Sequence, residues 1–314
     1  MRASTLSVRV TRVSSRVVRH GTYSIVAFDP ATGEHGAAVH SHWFSVGSLC
    51  IWARPGIGAV ATQSVVEPAH GPHGLDRMAA GADAAAALDG LLGADALAAV
   101  RQVGIVDAAG RVAVHTGADC IKCAGHATGE HVSAQANMMA RDTVPAAMVA
   151  GFEAAEGDLA QRLMAALDAA EGEGGDVRGR QSAALLVAPR EGEPWQARFD
   201  LRVDDHRDPV QELRRLLTLA RAYELAGRAD ELMASDRASE AGPLYERAAA
   251  LAPESDELLF WAGLAQVHAG EAERGIAAVR RAIEIHPGWR ELLERLSPDF
   301  APAGERVRRE LDSS

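Results

Sequence analysis

The sequence predicts an α+β fold with a mostly antiparallel sheet, followed by a separate all-helical module. Three observations lead there. Between residues 22 and 203, short apolar or alternating runs come first, helical periodicity follows, and strand-like runs return. That order differs from the strict β-α-β alternation of a doubly wound sheet, and fits a helix layer on each outer face of two stacked sheets. From Pro209 onward the pattern is helical throughout, and Pro253 and Pro287 lie 34 residues apart, the tetratricopeptide period.

The elements follow in order. Tyr23–Phe28, Gly36–Ser41, Leu49–Ala53 and Gly58–Gln63 read as strands. Pro30–Gly33 and Pro55–Gly56 punctuate them, and the spacing suggests two antiparallel hairpins. Helical patterns cover Gly74–Ala80 and Ala84–Val100, the second broken near Gly90 and Gly93. Strands return at Val103–Asp107 and Arg111–His115, with Ala108-Ala109-Gly110 as the turn. A loop with glycines and cysteines leads to helices at Val144–Ala155 and Leu159–Ala170, then strands at Ser182–Ala188 and Gln196–Val203.

These elements divide the chain into a leader or propeptide over 1–21, a main domain over 22–205 and a helical module over 206–314. The leader is basic, serine-rich and free of acids, and is expected to be disordered and outside the fold. In the module, Gly263, Gly270, Gly275 and Ala282 are small residues that let paired helices approach. Independent stability usually needs about three repeats, so the module is expected to pack on the main domain or on another copy. A homodimer, or a protein partner bound through 206–314, follows from that.

Composition narrows the function. Net charge is −11 and the pI about 5.6, which argues against nucleic acid or an anionic membrane as partner. No apolar run approaches the roughly 20 residues needed to span a bilayer. The three cysteines, Cys50, Cys120 and Cys123, make no disulfide framework, in keeping with a reducing cytoplasm. Aromatics are 4% of residues, so Ala, Val and Leu must fill the core.

Gly21-Thr22 is the most informative dipeptide. A threonine hydroxyl needs a base to become a nucleophile. At a new N-terminus threonine supplies its own, because an α-amine has a pKa near about 7.7–8.0. Cleavage of the Gly21–Thr22 bond would create that arrangement at the head of a strand, with Gly21 giving local freedom. An ordinary strand edge is the competing reading of this dipeptide taken alone.

The wider pattern runs T-Y-S-I-V-A-F-D-P-x-T-G-E at 22–34, Ser41, Val46-Gly47, G-I-G-A-V-A-T-Q at 56–63, Gly71 and Gly74-Leu75. It continues with R-Q-V-G-I-V-D at 101–107, Thr116-Gly117, Ala124-Gly125-His126, Gly129, Asn137 and G-x-x-R-G-R-Q-S-A-A-L-L-V at 175–187, and closes with L-R-V-D-D-H at 201–206 and E-L-R-R-L at 212–216. Together these motifs resemble the bacterial and archaeal domain-of-unknown-function family 1028. The resemblance implies a four-layer αββα sandwich of N-terminal-nucleophile hydrolase type, and hydrolysis of a small amide-type (N-acyl or ureido) substrate. Family members often begin Met-Thr, which aligns the exposed threonine with Thr22. The sequence departs from the family at His42, where Lys or Arg is common, at Cys123, where Trp is common, and at Ala136, where Gly usually precedes Asn137.

On this reading Thr22 is the nucleophile, Asn137 a neutral donor for an oxyanion or substrate oxygen, and His42 a proton shuttle or a source of positive potential. Ser41, Thr62, Gln63, Arg101 and His126 are candidate substrate ligands. Ser41 and His42 end the second strand, beside Thr22 if the two strands pair. Arg101-Gln102 and Arg178, Arg180 and Gln181 are candidates for holding a carboxylate, or for helix-end ion pairs and loop anchoring. Cys120-x-x-Cys123-x-x-His126, with His115 or His131 as a fourth ligand, is a zinc alternative. No second pair with finger-like spacing follows, so neither a metal nor any other cofactor is expected. The remaining alternative is a non-catalytic binding protein that keeps its leader and uses the helical module to recruit a partner.

Overall fold

The structure is a computed structural model, and it describes residues 19–235 and 237–313. The chain divides at Val210–Gln211 into two units. In the first unit the elements run β1 (Arg19–His20), β2 (Thr22–Asp29), β3 (Glu34–Ser41), α1 (Gly47–Cys50), β4 (Ile51–Arg54), β5 (Gly58–Val65), α2 (His70–Ala79), α3 (Ala84–Leu92), β6 (Arg101–Asp107), β7 (Val112–Thr116), β8 (Gly125–Gly129), β9 (Val132–Asn137), α4 (Val144–Ala154), α5 (Leu159–Gly172), β10 (Ser182–Ala188) and β11 (Phe199–Val203).

These strands make two antiparallel sheets. One has the order β1-β5-β6-β7, with β4 also pairing β5. The other has the order β11-β10-β3-β2-β9-β8. Side chains alternate across each strand, and the alternation sorts the core. Val26, Ala37, Val39, Ala59, Ala61, Val106 and Ala184 meet between the sheets. Val60, Val103 and Ile105 point the other way, onto Leu75, Met78, Ala87, Leu88 and Leu91 of α2 and α3. On the far sheet α5 lies over β3, so close that a β-carbon at Gly36 would sit 2.7 Å from Leu163. A helix pair therefore covers the outer face of each sheet. At roughly 25 cal/mol per Å² of apolar surface, the dry layer between sheets and the layers under the helices carry most of the stabilisation.

Both early hairpins form. β2 pairs β3 with Thr22 opposite Ser41, and β4 pairs β5. Gly110, at φ +75°, makes the β6–β7 turn where only a residue free of a β-carbon is unstrained. Three expectations fail. Leu49 belongs to the short helix α1, and the strand starts only at Ile51. The helix at Ala84 stops at Leu92, where Gly93 caps it, and only a 3₁₀ turn at Ala98–Val100 follows. The stretch at Gly125–Gly129 is no loop but the strand β8, whose Gly, Ala and polar residues hide its character; it pairs with the strand-like run that ends at Asn137, β9. The leader is also not wholly outside the fold. Arg19 and His20 pair with Val65 and Ser64 of β5, and Gly21 is buried. Residues 1–18 lie outside the described residues.

The second unit is helical: α6 (Pro209–Ala234), whose first two residues precede the division, α7 (Ala238–Leu251), α8 (Asp256–His268), α9 (Ala272–Ile285), α10 (Gly288–Arg295) and α11 (Gly304–Asp312). Gly263 and Gly275 bring α8 and α9 together; a β-carbon at Gly263 would lie 2.7 Å from the Gly275 carbonyl. Gly270 serves differently, as the φ +98° turn between those helices. No helix among the described residues is long and apolar enough to cross a membrane.

Candidate functional site

Register places Thr22 in a polar row. Along one sheet, Ser182, Ser41, Thr22 and Asn137 are successive cross-strand neighbours, all facing the gap between the sheets. Opposite them on the other sheet stand Gln63 and Gln102, with Thr116 next to Gln102. The sandwich thus closes at this end with hydroxyls and amides in place of aliphatic side chains. Thr22, Ser41, Gln63, Gln102, Asn137 and Ser182 are all fully buried.

The amides form one network, as burial requires. Gln63 Nε2 donates to the Thr22 carbonyl (3.1 Å), the Gln135 carbonyl (3.0 Å) and Gln102 Oε1 (2.7 Å). Ser24 Oγ donates to Gln63 Oε1 (2.6 Å) and accepts from Gln135 Nε2 (2.6 Å). Asn137 Nδ2 donates to Gln102 Oε1 (3.0 Å) and reaches the Thr22 carbonyl at 3.4 Å. Its Oδ1 is buried without a partner among the described residues.

Around the Gly21–Thr22 peptide the donors converge. Thr22 Oγ1 donates to Ser41 Oγ at 3.1 Å, and the Ser41 hydroxyl donates to the Gly21 carbonyl oxygen. The same oxygen accepts from Arg178 Nη2 at 2.7 Å. Arg178 is itself fixed by Asp176, whose carboxylate is fully buried. Asp176 Oδ1 accepts from the Arg178 backbone N–H (2.9 Å) and Nε (3.1 Å), and Oδ2 accepts from Arg178 Nη2 (2.8 Å) and the His42 backbone N–H (3.2 Å). The segment is held beside Thr22 through Met138, which sits at φ +58° and accepts from the Val177 N–H. Gly21 is required by space: a β-carbon there would lie 2.8 Å from Arg178 Nη2 and 2.9 Å from the Met138 β-carbon.

The outer face of the far sheet also carries buried polarity. Tyr23 and His40 stack at 4.7 Å, and Tyr23 Oη donates to Glu171 at 2.5 Å. Burial, aided by Glu171, pushes the Tyr23 phenol well above its ordinary range. Burial also lowers His40 to about 3, and neither of its ring nitrogens has a partner among the described residues.

The sequence candidates fall into two groups. Ser41, Gln63 and Asn137 join Thr22, and His42 lies at the rim with its Nδ1 3.3 Å from the Arg180 carbonyl. Thr62 and Arg101 do not join it, and His126 reaches only the outer edge of its network. Thr62 has the parity of Val60 and faces the α2–α3 side. Arg101 shares that face: its Nε contacts Asp95 (2.6 Å) and its Nη1 donates to the Val65 carbonyl (2.6 Å). Asp95 also meets His70 at 3.3 Å, beside a cavity of about 510 Å³ under α2 and α3 that is separate from Thr22. His126 is exposed on the edge strand β8 but lies opposite Gln135, on the side that faces the other sheet; its Nδ1 is 2.9 Å from Thr116 Oγ1, which accepts from Gln102 Nε2 at 2.9 Å. Burial, then His115, lowers its pKa. The Cys120 thiol instead donates to the Arg101 carbonyl, and no group of three His, Cys, Asp or Glu side chains fit to hold a metal occurs among the described residues.

Sequence reasoning missed Gln135 and Ser24, and left Gln102 and Arg178 with a general carboxylate role. The available signal was parity: Ser24, Gln63, Gln102, Gln135 and Asn137 stand where a strand buried on both faces should be apolar.

The protein-family comparison matches the model described as a family of unknown function, DUF1028, over residues 22–213. Among solved structures, the chain is similar to the crystal structure of protein SPO2555 from Silicibacter pomeroyi, with 31% identity and a TM-score of 0.58. That likeness covers 64% of this chain and 89% of the other. No curated protein matches the sequence. The family match begins at Thr22 and spans more than half of the 314 residues, so this chain belongs to the DUF1028 family.

Proposed function

We propose that this protein is an N-terminal-nucleophile hydrolase of a small amide-type substrate, with Thr22 as nucleophile once Gly21 has been removed. The observation that carries the reading is the convergence at one oxygen. The Ser41 hydroxyl and the Arg178 guanidinium both donate to the carbonyl directly preceding Thr22. With Gly21 gone, the same two donors serve the carbonyl oxygen of an N-acyl or ureido substrate. Oxyanion donors of this kind contribute about 2.7–4 kcal/mol each. The freed α-amine takes the hydroxyl proton, and the acyl group passes to Thr22 Oγ1 and then to water. Asn137 acts as an acceptor: its Nδ2 is engaged and its free Oδ1 suits the N–H groups of the new amine. His42, Ser41 and the rim around Asp176 contact the substrate.

The layered order of helix pair, sheet, sheet and helix pair supports placing the domain among the αββα N-terminal-nucleophile hydrolases. The α8–α9 pair, with its 34-residue proline spacing, supports a tetratricopeptide-like module that binds a protein partner. The zinc alternative loses its support, because Cys120 and His126 hydrogen-bond elsewhere. A binding protein that keeps its leader draws support from one observation, the pairing of Arg19 and His20 with β5.

The test is a chain encoded as Met-Thr22, with excision of the methionine verified by intact mass. It is assayed on a panel of N-acyl and ureido compounds beside its Thr22→Ala variant. Turnover lost in the variant supports the hydrolase. Equal turnover in both removes Thr22 as nucleophile, and no turnover with either protein while compounds still bind supports the binding reading.

A further inference from the structure

The helical unit holds a cavity of about 690 Å³ between α6, α7, α8 and the segment 299–303. That volume falls in the range of about 300–1,000 Å³ typical of small-molecule sites. All of its lining residues belong to this one unit, so it is separate from Thr22. Four aromatic side chains line it: Tyr223, Tyr245, Trp261 and Phe300. Trp261 and Phe300 meet edge to face at 6.0 Å, and Phe300 is 71% exposed although its side chain is wholly apolar. Leu258 and Leu264 are buried in the wall.

The charge of the lining is one-sided. It includes the carboxylates of Asp230, Glu257 and Asp299, and neither lysine nor arginine. Elsewhere in the unit acids are matched by arginine: Glu240 by Arg237, Glu246 and Glu271 by Arg274, Glu254 and Glu284 by Arg281. Around the cavity phenols take that place. Tyr223 Oη donates to Glu257 Oε2 at 2.7 Å, and Tyr245 Oη donates to Asp230 Oδ1. A phenol fixes a carboxylate without neutralising it. The Asp299 carboxylate has no hydrogen bond or ion pair among the described residues. Each of these acids alone is an ordinary solvated group. Together with four aromatic rings around one concave volume they make a field that favours positive charge, because the π-face of a ring is negative as well. No group of three His, Cys, Asp or Glu side chains among the described residues is fit to hold a metal ion, and apolar walls give a bare ion nothing. A single basic side chain reaching in from a partner would fill only part of the volume.

We infer that this cavity binds a small organic cation with an apolar body, its ammonium or guanidinium group among Asp230, Glu257 and Asp299 and its body against Trp261 and Phe300. The inference goes beyond the protein-partner reading of the helical unit, since it gives the cavity a free small molecule, and it does not depend on Thr22.

The experiment titrates the full-length protein with tryptamine by isothermal titration calorimetry at low salt, near pH 7. Two compounds with the same indole body serve as comparisons: tryptophol, which is neutral, and indole-3-propionate, which is an anion. Tryptamine is expected to bind one per chain, about tenfold or more tighter than tryptophol, with indole-3-propionate silent. Added salt weakens tryptamine and leaves tryptophol unchanged. Phe300→Ala and Asp299→Asn alter exposed side chains, and melting checks that both variants fold. Each is expected to weaken tryptamine about two- to fivefold, and Asp299→Lys to abolish its binding. A role in folding alone would move the melting temperature and leave the preference for cation over neutral isostere intact. The inference is overturned if tryptamine, phenethylamine and agmatine all fail to bind, if tryptophol binds as tightly as tryptamine, if the three variants leave tryptamine binding unchanged, or if only a lysine- or arginine-containing peptide binds. Thr22→Ala is expected to bind tryptamine as the wild type does, so failure here leaves the hydrolase reading standing, and that reading is decided by turnover of the Met-Thr22 chain.

Discussion

Gln63 on one sheet donates to the backbone carbonyl of Thr22 on the other, at 3.1 Å. The contact crosses the interior at the level of the polar row, so one amide fixes the distance between the two sheets where the nucleophile stands. The same NH₂ group also faces the Gln135 carbonyl and Gln102 Oε1. Gln63→Met conserves length and leaves those acceptors short of a donor. Since each abandoned buried polar group costs about 1–3 kcal/mol, a loss of about 2–4 kcal/mol is expected in urea unfolding. Gln63→Glu is expected to be worse, because it adds a carboxylate that faces three acceptors.

His40 contributes to the acid limb of stability, beside His35 and His70, whose pKa burial also lowers. Its folded pKa, lowered by burial to about 3, lies below its ordinary value of 6.5. Between those two values the unfolded chain binds the proton and the folded chain does not, so stability falls as pH falls. The slope contributed by this one group is at most about 1.4 kcal/mol per pH unit, and it vanishes above pH 6.5 and below about 3. His40→Phe keeps a ring against Tyr23 and removes the titration. Melting temperatures measured from pH 7 down to 4 are expected to fall less steeply in that variant. An unchanged slope would show that His40 titrates normally.

Much of the fold was legible because it rests on alternation and punctuation. The β2–β3 pairing, with Thr22 against Ser41, follows from two apolar runs around a Pro-Gly turn. β8 was not legible, since Gly125-His126-Ala127-Thr128-Gly129 has no apolar face, whereas the run that ends at Asn137 reads as strand-like. β9 is fixed by pairing on β2, and β8 by pairing on β9. For the site, sequence proximity in a hairpin found Ser41, but Arg178 arrives from 157 residues away on a segment with no periodicity. Thr62 and Arg101 failed for one reason: adjacent residues on a strand face opposite sides, so a motif such as Thr62-Gln63 splits between the site and the helix layer.

Two glycines in the helical unit separate propensity from packing. Gly227 lies exposed inside α6, with nothing within 4 Å of a β-carbon placed there. Gly227→Ala is expected to stabilise by roughly 0.5–1 kcal/mol, the ordinary gain of alanine over glycine in a helix. Gly263→Ala gains the same propensity but drives its methyl to 2.7 Å from the Gly275 carbonyl and 2.8 Å from Val279. Overpacking of this sort costs about 1–3 kcal/mol, so the net effect is expected to be destabilising. Thermal unfolding of the two variants side by side is expected to move in opposite directions.

Arg101 shows how a charged residue in a conserved-looking motif is a structural anchor for this fold. Its side chain is 6% exposed, and it bridges Asp95, the Val65 carbonyl and, at 3.7 Å, Glu67. Burial alone would raise the Asp95 carboxyl, but the hydrogen bonds from Arg101 and the Leu97 N–H outweigh it and hold the pKa below the ordinary value. Asp95 therefore contributes stability above its unfolded pKa, and that contribution is lost as pH falls through the lowered folded value. Arg101→Met removes the principal cation and leaves the carboxylate and the Val65 carbonyl without it. Breaking a buried pair from one side costs about 3–5 kcal/mol; with Asp95 partly solvated and His70 beside it, about 3 kcal/mol is expected. Because the side chain faces α2 and α3 and not the gap that holds Thr22, the KM of any Thr22-dependent hydrolysis is expected to stay unchanged. A raised KM at full folding would return Arg101 to the substrate site and break the assignment of faces made from strand parity.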